Sequence, residues 1–167
     1  MPGHVAIVGY MGSGKTTVGR LLAGQTGRDF VDLDGEISLR AGRPIPEIFA
    51  GGGEEHFRDL EHAALLDALA GDEDRVISCG GGAVLRPENR AALRGTLTVF
   101  LREDIDVLYA RTRGGDRPLR DDSPEGFARR YAERLPLYRE VADVEIDADG
   151  RPAAAVVEEV ERCLSRR

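Results

Sequence analysis

The stretch "GYMGSGKTT", residues 9 to 17, carries the only lysine of a chain with 23 basic residues. Every other basic residue is arginine, so position 15 asks for what a compact ammonium does and a planar guanidinium fork does not. Residues 9 to 16 fit G-x-x-x-x-G-K-[ST] in full, after an apolar run and before a helical pattern. In such a loop Gly12 and Gly14 let the backbone curl until its N–H groups face a phosphate, and the helix opening at Lys15 adds its dipole. Ser13 and Thr17 belong to the same cradle. Lys15 reaches the β and γ phosphates, and Thr16 offers its hydroxyl to Mg²⁺. The motif establishes nucleotide binding, not the reaction. Guanine-selective switches use N-K-x-D, and a sole lysine already engaged at position 15 leaves none for it, so ATP is expected as co-substrate.

Further groups could act beside that phosphate. Asp32 and Asp34 close the apolar run "DFVDLD"; two apart on a strand, they project from one face. One carboxylate can hold Mg²⁺ through water, and the other can accept the proton of an attacking hydroxyl. The competing reading is a pair of turn or N-cap aspartates. Gly80, Gly81 and Gly82 follow the run "RVISC" and would expose backbone N–H groups to a close ligand. That run ends without an acidic residue, which leaves the metal side to Asp32 with Thr16. Arg58, braced by Glu61 three residues on, and Arg134 could clamp a small carboxylate or phosphate. Taken singly, each is also readable as a solvated surface charge. His4, His56 and His62 have no ligand spacing.

These groups need a frame. Residues 4–8, 29–34, 75–79, 96–101 and 143–147 read as short strands, alternating with helical patterns at 15–26, 54–70, 104–111 and 153–164. Residues 36–57 read as helical but broken by Pro44, Pro46 and the glycine run. Ser123 and Pro124 start a further helix as N-cap and first residue. Strands that are continuous apolar runs between helices predict an α/β fold, a three-layer α/β/α arrangement on a five-stranded parallel sheet. The whole chain, 1–167, reads as a single domain. The unpatterned segment at about 112–124 reads as a mobile lid.

Composition narrows the class. Net charge is -7 and the pI about 5.1, against nonspecific nucleic-acid binding. Eight arginines between 111 and 139 form a local basic cluster suited to a small anionic ligand. No apolar run approaches a membrane span. The opening "MPGHVAIVGY" lacks a signal-peptide layout, and Cys79 and Cys163 have no metal-like spacing. A cytoplasmic monomer is expected.

Together, "GxxGSGKT", "DxD", "FR", "GGG", "RPL" and "RLPLY" resemble shikimate kinase, of the nucleoside-monophosphate-kinase-like P-loop family. The resemblance runs in order over essentially the whole chain. It implies phosphorylation of the 3-hydroxyl of shikimate by ATP with Mg²⁺, in aromatic amino-acid biosynthesis. On it, Asp34 is the acceptor-binding aspartate and candidate base. Arg58 and Arg134 grip the carboxylate, with Gly80, Gly81 and Gly82 over the same acceptor. Ile45, Phe49 and Phe57 form an apolar wall in a shikimate-binding segment at about 34–61. Arg117 is the lid arginine that closes on the moving phosphate, Arg111 stacks on adenine, and Arg151 and Pro152 run along its other side. Pro136, just after Arg134, could kink that helix. A gluconate kinase, a nucleoside monophosphate kinase and a nucleotide-gated module without an acceptor are the alternatives.

Overall fold

A computed structural model describes residues 3–113 and 123–167. Its elements run β1 (Val5–Val8), α1 (Lys15–Thr26), β2 (Asp29–Asp32), α2 (Leu33–Ala41), α3 (Ile45–Leu69), β3 (Arg75–Ser78), α4 (Pro87–Ala92), β4 (Leu97–Arg102), α5 (Ile105–Thr112), α6 (Pro124–Val141), β5 (Val144–Asp147) and α7 (Ala153–Leu164). The strands form one sheet in the order β2-β3-β1-β4-β5, and every pair in it is parallel. The α/β, five-stranded parallel architecture expected from the sequence is present.

Strand alternation splits the core into two layers. Val5 and Ile7 of β1 pack with Val18 and Leu22 of α1 and with Val156, Val157 and Val160 of α7. Ala6 and Val8, one residue out of phase, face Leu33, Ile37, Leu65, Phe100, Phe127 and Tyr138, drawn from α2, α3, β4 and α6. Helices thus cover both faces; the inner strands β1, β3 and β4 are largely buried apolar runs, while the edge strands β2 and β5 keep Asp29, Glu145 and Asp147 exposed. The connection leaving β1 crosses to the β2 edge, whereas that leaving β4 runs to β5 at the opposite edge. Their carboxyl ends therefore open a crevice beside the centre of the sheet, where ligands of open α/β sheets bind.

Two boundaries differ from the sequence reading. The second strand ends at Asp32, not Asp34. Asp32 occupies the N-cap position with extended backbone (φ -97°, ψ 113°), and Asp34 lies in the first turn of α2. Helix starts early here because Leu33 and Ile37, four apart, both bury completely. The predicted break in the 36–57 region falls where the sequence places it, at Pro44 and in the glycine run, but the helix read from 54 already begins at Ile45. Gly42 closes α2 in the left-handed conformation, Pro44 caps α3, and Gly53 (φ 74°, ψ -175°) kinks α3 internally. Only glycine adopts that last combination readily. Helix α4 carried a start signal in Pro87-Glu88 that was not read.

Candidate active site

The residues of the phosphate cradle form one wall of a cavity of about 330 Å³. Gly12, Gly14, Lys15, Thr16, Thr17, Asp32, Asp34, Gly80, Gly81 and Arg111 of the predicted set line it. Met11, Ser78 and Cys79 line it as well. The loop turns on Gly12 (φ 85°) and Gly14 (φ 90°), both left-handed. A side chain at 12 would in addition strike Thr112 Cγ2, 2.9 Å from where its Cβ would stand. Gly14 is the N-cap of α1, so the first N–H groups of that helix open onto the cavity. Lys15 folds across the loop, its Nζ donating to the carbonyl oxygens of Gly9 (2.9 Å) and Tyr10 (3.0 Å). Ser13 is buried, and its Oγ has no hydrogen-bond partner.

Beside the cradle, with a Cβ position on Gly81 only 3.4 Å from Met11 N, Gly80–Gly82 is the point on which the acceptor-side groups converge. A Cβ on Gly80 would stand 3.0 Å from an Asp34 carboxylate oxygen and 3.0 Å from Glu61 Oε2. On Gly81 it would meet Arg134 Nη1 at 3.6 Å, and on Gly82 it would overlap the Arg58 guanidinium. No residue but glycine fits at 82 without displacing that arginine. The loop is itself anchored: Asn89 Nδ2 donates to Ala83 O (2.9 Å), and His62 Nδ1 bonds Asn89 Oδ1 (2.5 Å). His62 is thus a structural brace.

Arg58 and Arg134 are only 6% and 5% exposed, so neither is a solvated surface charge. Arg58 Nη1 donates to Glu61 Oε1 at 2.7 Å, and Glu61 is 1% exposed. Burial lifts the Glu61 carboxyl above its ordinary range, and the Arg58 charge opposes that rise. The Nε atoms of both arginines are buried without partners. Arg58 lies 5.2 Å over the Phe57 ring, which stacks on Phe49 at 4.7 Å. The predicted apolar wall is therefore continuous with one arm of the clamp.

On the nucleotide side, Arg111 Nη1 donates to Gly12 O (3.1 Å) and pairs with buried Glu103 (3.3 Å). The Glu103 carboxyl is raised by burial and by the nearby Asp149 carboxylate. Pro152 caps α7 at the end of the loop after β5. Arg151 itself does not line the cavity; its Nη1 pairs with Glu159 at 2.7 Å. Arg117 and the segment 114–122 lie outside the described residues.

Cys79 fills the place where an acidic residue was missing from the sequence, and burial pushes its thiol up to about 12. It stays a neutral wall atom. Asp32 accepts no capping bond, so its carboxylate is not spent on α2.

The shikimate kinase family model matches residues 11–165. The chain belongs to the shikimate kinase family. It is 46% identical to the shikimate kinase of Symbiobacterium thermophilum over 98% of this chain and 97% of that one. Against the shikimate kinase of Pseudomonas syringae pv. syringae it is 45% identical, with 94% and 93% covered. The structure of Acinetobacter baumannii shikimate kinase in complex with shikimate superposes with a TM-score of 0.91, at 36% identity and with 98% and 93% of the chains covered. A gluconokinase from Sinorhizobium meliloti 1021 shares the fold less closely, with a TM-score of 0.63 at 25% identity and 99% and 93% covered.

Arg58 gives a direct check on the acceptor side of this family's site. Arg58→Ala should raise the shikimate KM about 10- to 100-fold, the cost of a charge-assisted hydrogen bond to a carboxylate, with a smaller change in kcat. Steady-state kinetics at saturating ATP read it; an unchanged KM removes Arg58 from the acceptor site.

Proposed function

We propose that this chain transfers the γ-phosphoryl group of ATP to the 3-hydroxyl of shikimate, giving ADP and shikimate 3-phosphate in aromatic amino-acid biosynthesis. One observation carries the reading: two buried arginines and the Asp34 carboxylate converge on Gly80–Gly82, beside the phosphate cradle. A carboxylated, polyhydroxylated ring satisfies that set. Arg58 and Arg134 take the carboxylate, the ring lies against Phe49 and Phe57, and Asp34 takes the hydroxyls.

In such a transfer the phosphoryl group does most of its own chemistry, and the protein positions and neutralises. The N–H groups of Gly12–Thr17 and the dipole of α1 hold the phosphate chain. Lys15 leaves its carbonyl partners for the β and γ oxygens. Asp34 aligns the attacking hydroxyl and accepts its proton. Arg117, in the segment proposed as a lid, supplies a further cation. Arg111 flanks the base, with Arg151 and Pro152 on its other side.

Mg²⁺ fits the groups present. The Thr16 hydroxyl and an Asp32 carboxylate free of capping duty line one cavity, a hard-oxygen set of the kind that ion takes together with water and phosphate oxygens. When bound, the ion neutralises phosphate charge. No helix among the described residues is long and apolar enough to cross a membrane.

The test is a coupled ADP-release assay with shikimate, gluconate and AMP. Turnover is expected with shikimate alone, at a kcat/KM about 10³-fold or more above the other two, since a site built around buried polar partners rejects acceptors that leave them unpaired. Comparable turnover with gluconate, or none with any acceptor, would overturn the proposal.

A further inference from the structure

We propose that Tyr138 is a positioning residue of the acceptor pocket, whose hydroxyl pins the Gly81 carbonyl beside the Arg134 guanidinium. The inference rests on the acceptor site described above. Tyr138 closes the motif "RLPLY", in which only Arg134 has so far been given a role.

The Tyr138 hydroxyl donates to Gly81 O at 2.5 Å. The Arg134 guanidinium lies close enough to the same phenol to oppose the effect of burial on it. Arg134 and Tyr138 are four residues apart in α6 and so share a face. The ring is fully buried and stacked on Phe100, centroids 5.1 Å apart and planes at 22°, which fixes where the hydroxyl stands. Burial raises the phenol far above its ordinary range, so it remains a donor at every working pH. On its other side Arg134 lies 5.6 Å over the Tyr10 ring, in the phosphate loop.

Two consequences follow for the acceptor. A peptide unit is planar, so holding the Gly81 carbonyl also sets the direction of the Gly82 N–H across the same bond. Gly82 is the glycine whose missing Cβ makes room for Arg58. And a buried phenol one turn along α6, with the Tyr10 ring on the other side, narrows where the Arg134 guanidinium can stand, which lowers the ordering cost of binding a carboxylate. The hydroxyl thus aligns the backbone donor beside the second arm of the clamp. It touches neither nucleotide nor acceptor.

Tyr138→Phe removes that hydroxyl alone. The shikimate KM should rise about three- to tenfold, the loss of roughly one hydrogen bond's worth of alignment, while the ATP KM and kcat stay within about twofold. A purely structural hydroxyl would not split the two KM values. Thr98→Val is the control: it deletes a buried hydroxyl bonded to Thr96 O, at the amino end of β4, and should cost stability without moving either KM. If Tyr138→Phe does not fold, Phe100→Leu carries the test, because it keeps the hydroxyl but loosens the ring that places it; the same selective rise is expected. Equal changes in both KM values, or no change in either, overturn the inference. The two levels separate cleanly. If Arg58→Ala and Arg134→Ala leave the shikimate KM unmoved, the acceptor site is wrong and Tyr138 falls with it. If they raise it and the Tyr138 variant does not, only the tyrosine's role falls.

Discussion

Lys15→Met should lower kcat about 10²- to 10³-fold, the usual cost of deleting one preorganised charge from a transition-state site. Methionine keeps the length and helix propensity of lysine, so α1 should still open at position 15. What disappears is the ammonium. In the loop that ammonium donates to two neutral carbonyls, Gly9 O and Tyr10 O, at 2.9 and 3.0 Å. Neutral acceptors hold it less strongly than phosphate oxygens would, and they keep it inside the loop. The swing from carbonyl to phosphate therefore costs little reorganisation. Because the charge is needed most as phosphoryl oxygens lose their leaving group, kcat should fall more than ATP affinity does. Lys15→Arg should restore little, since a planar fork cannot take the same place between Gly14 and Thr16. Calorimetric ATP binding alongside steady-state turnover separates the effects. A loss of turnover under tenfold would show that the loop's backbone donors carry the phosphate alone.

How much of this was readable beforehand depended on whether a feature is local. The cradle is local: nine consecutive residues contain the turn glycines, the helix start and both functional side chains. The sheet was readable because buried parallel strands are short apolar runs. Asp34 was read at the end of a strand and lies instead in the first turn of α2. A two-residue spacing suits a strand face, yet the burial of Leu33 and Ile37 turned the chain into α2 first. Both aspartates still reach the cavity, one from the end of β2 and one from the first turn of the helix. Arg58 and Arg134 could not be told from surface charge by sequence alone, because both are packed against the sequence-distant Gly81–Gly82 turn. Tyr138 and Glu103 were missed for the same reason. Their partners, Gly81 O and Arg111, are defined by packing of α6 and α5 onto the sheet. The i,i+4 spacing of Arg134 and Tyr138 was the one signal available.

Asp34→Asn is expected to lower kcat about 10²-fold or more, within the range a positioned general base contributes. The amide has the shape of the carboxylate and can still bond a hydroxyl, so the shikimate KM should move much less. The rival acceptor of the proton is Glu61, whose Oε2 stands as close to the Gly80 position as Asp34 does, 3.0 Å in each case. Geometry alone does not choose between them. Commitments do. Glu61 Oε1 is occupied by Arg58 at 2.7 Å and Glu61 does not line the cavity, while Asp34 shares the cavity wall with Lys15 and Thr16. Glu61 is also the more deeply desolvated, its proton affinity raised by burial, and its charge is needed to balance Arg58. Glu61→Gln should therefore act through that arginine, weakening shikimate binding and stability with kcat largely kept. Kinetics of the two amides side by side decide the matter. Retained turnover in the Asp34 variant with collapse in the Glu61 variant would exchange the two roles, and retained turnover in both would leave the hydroxyl's proton to the phosphate itself.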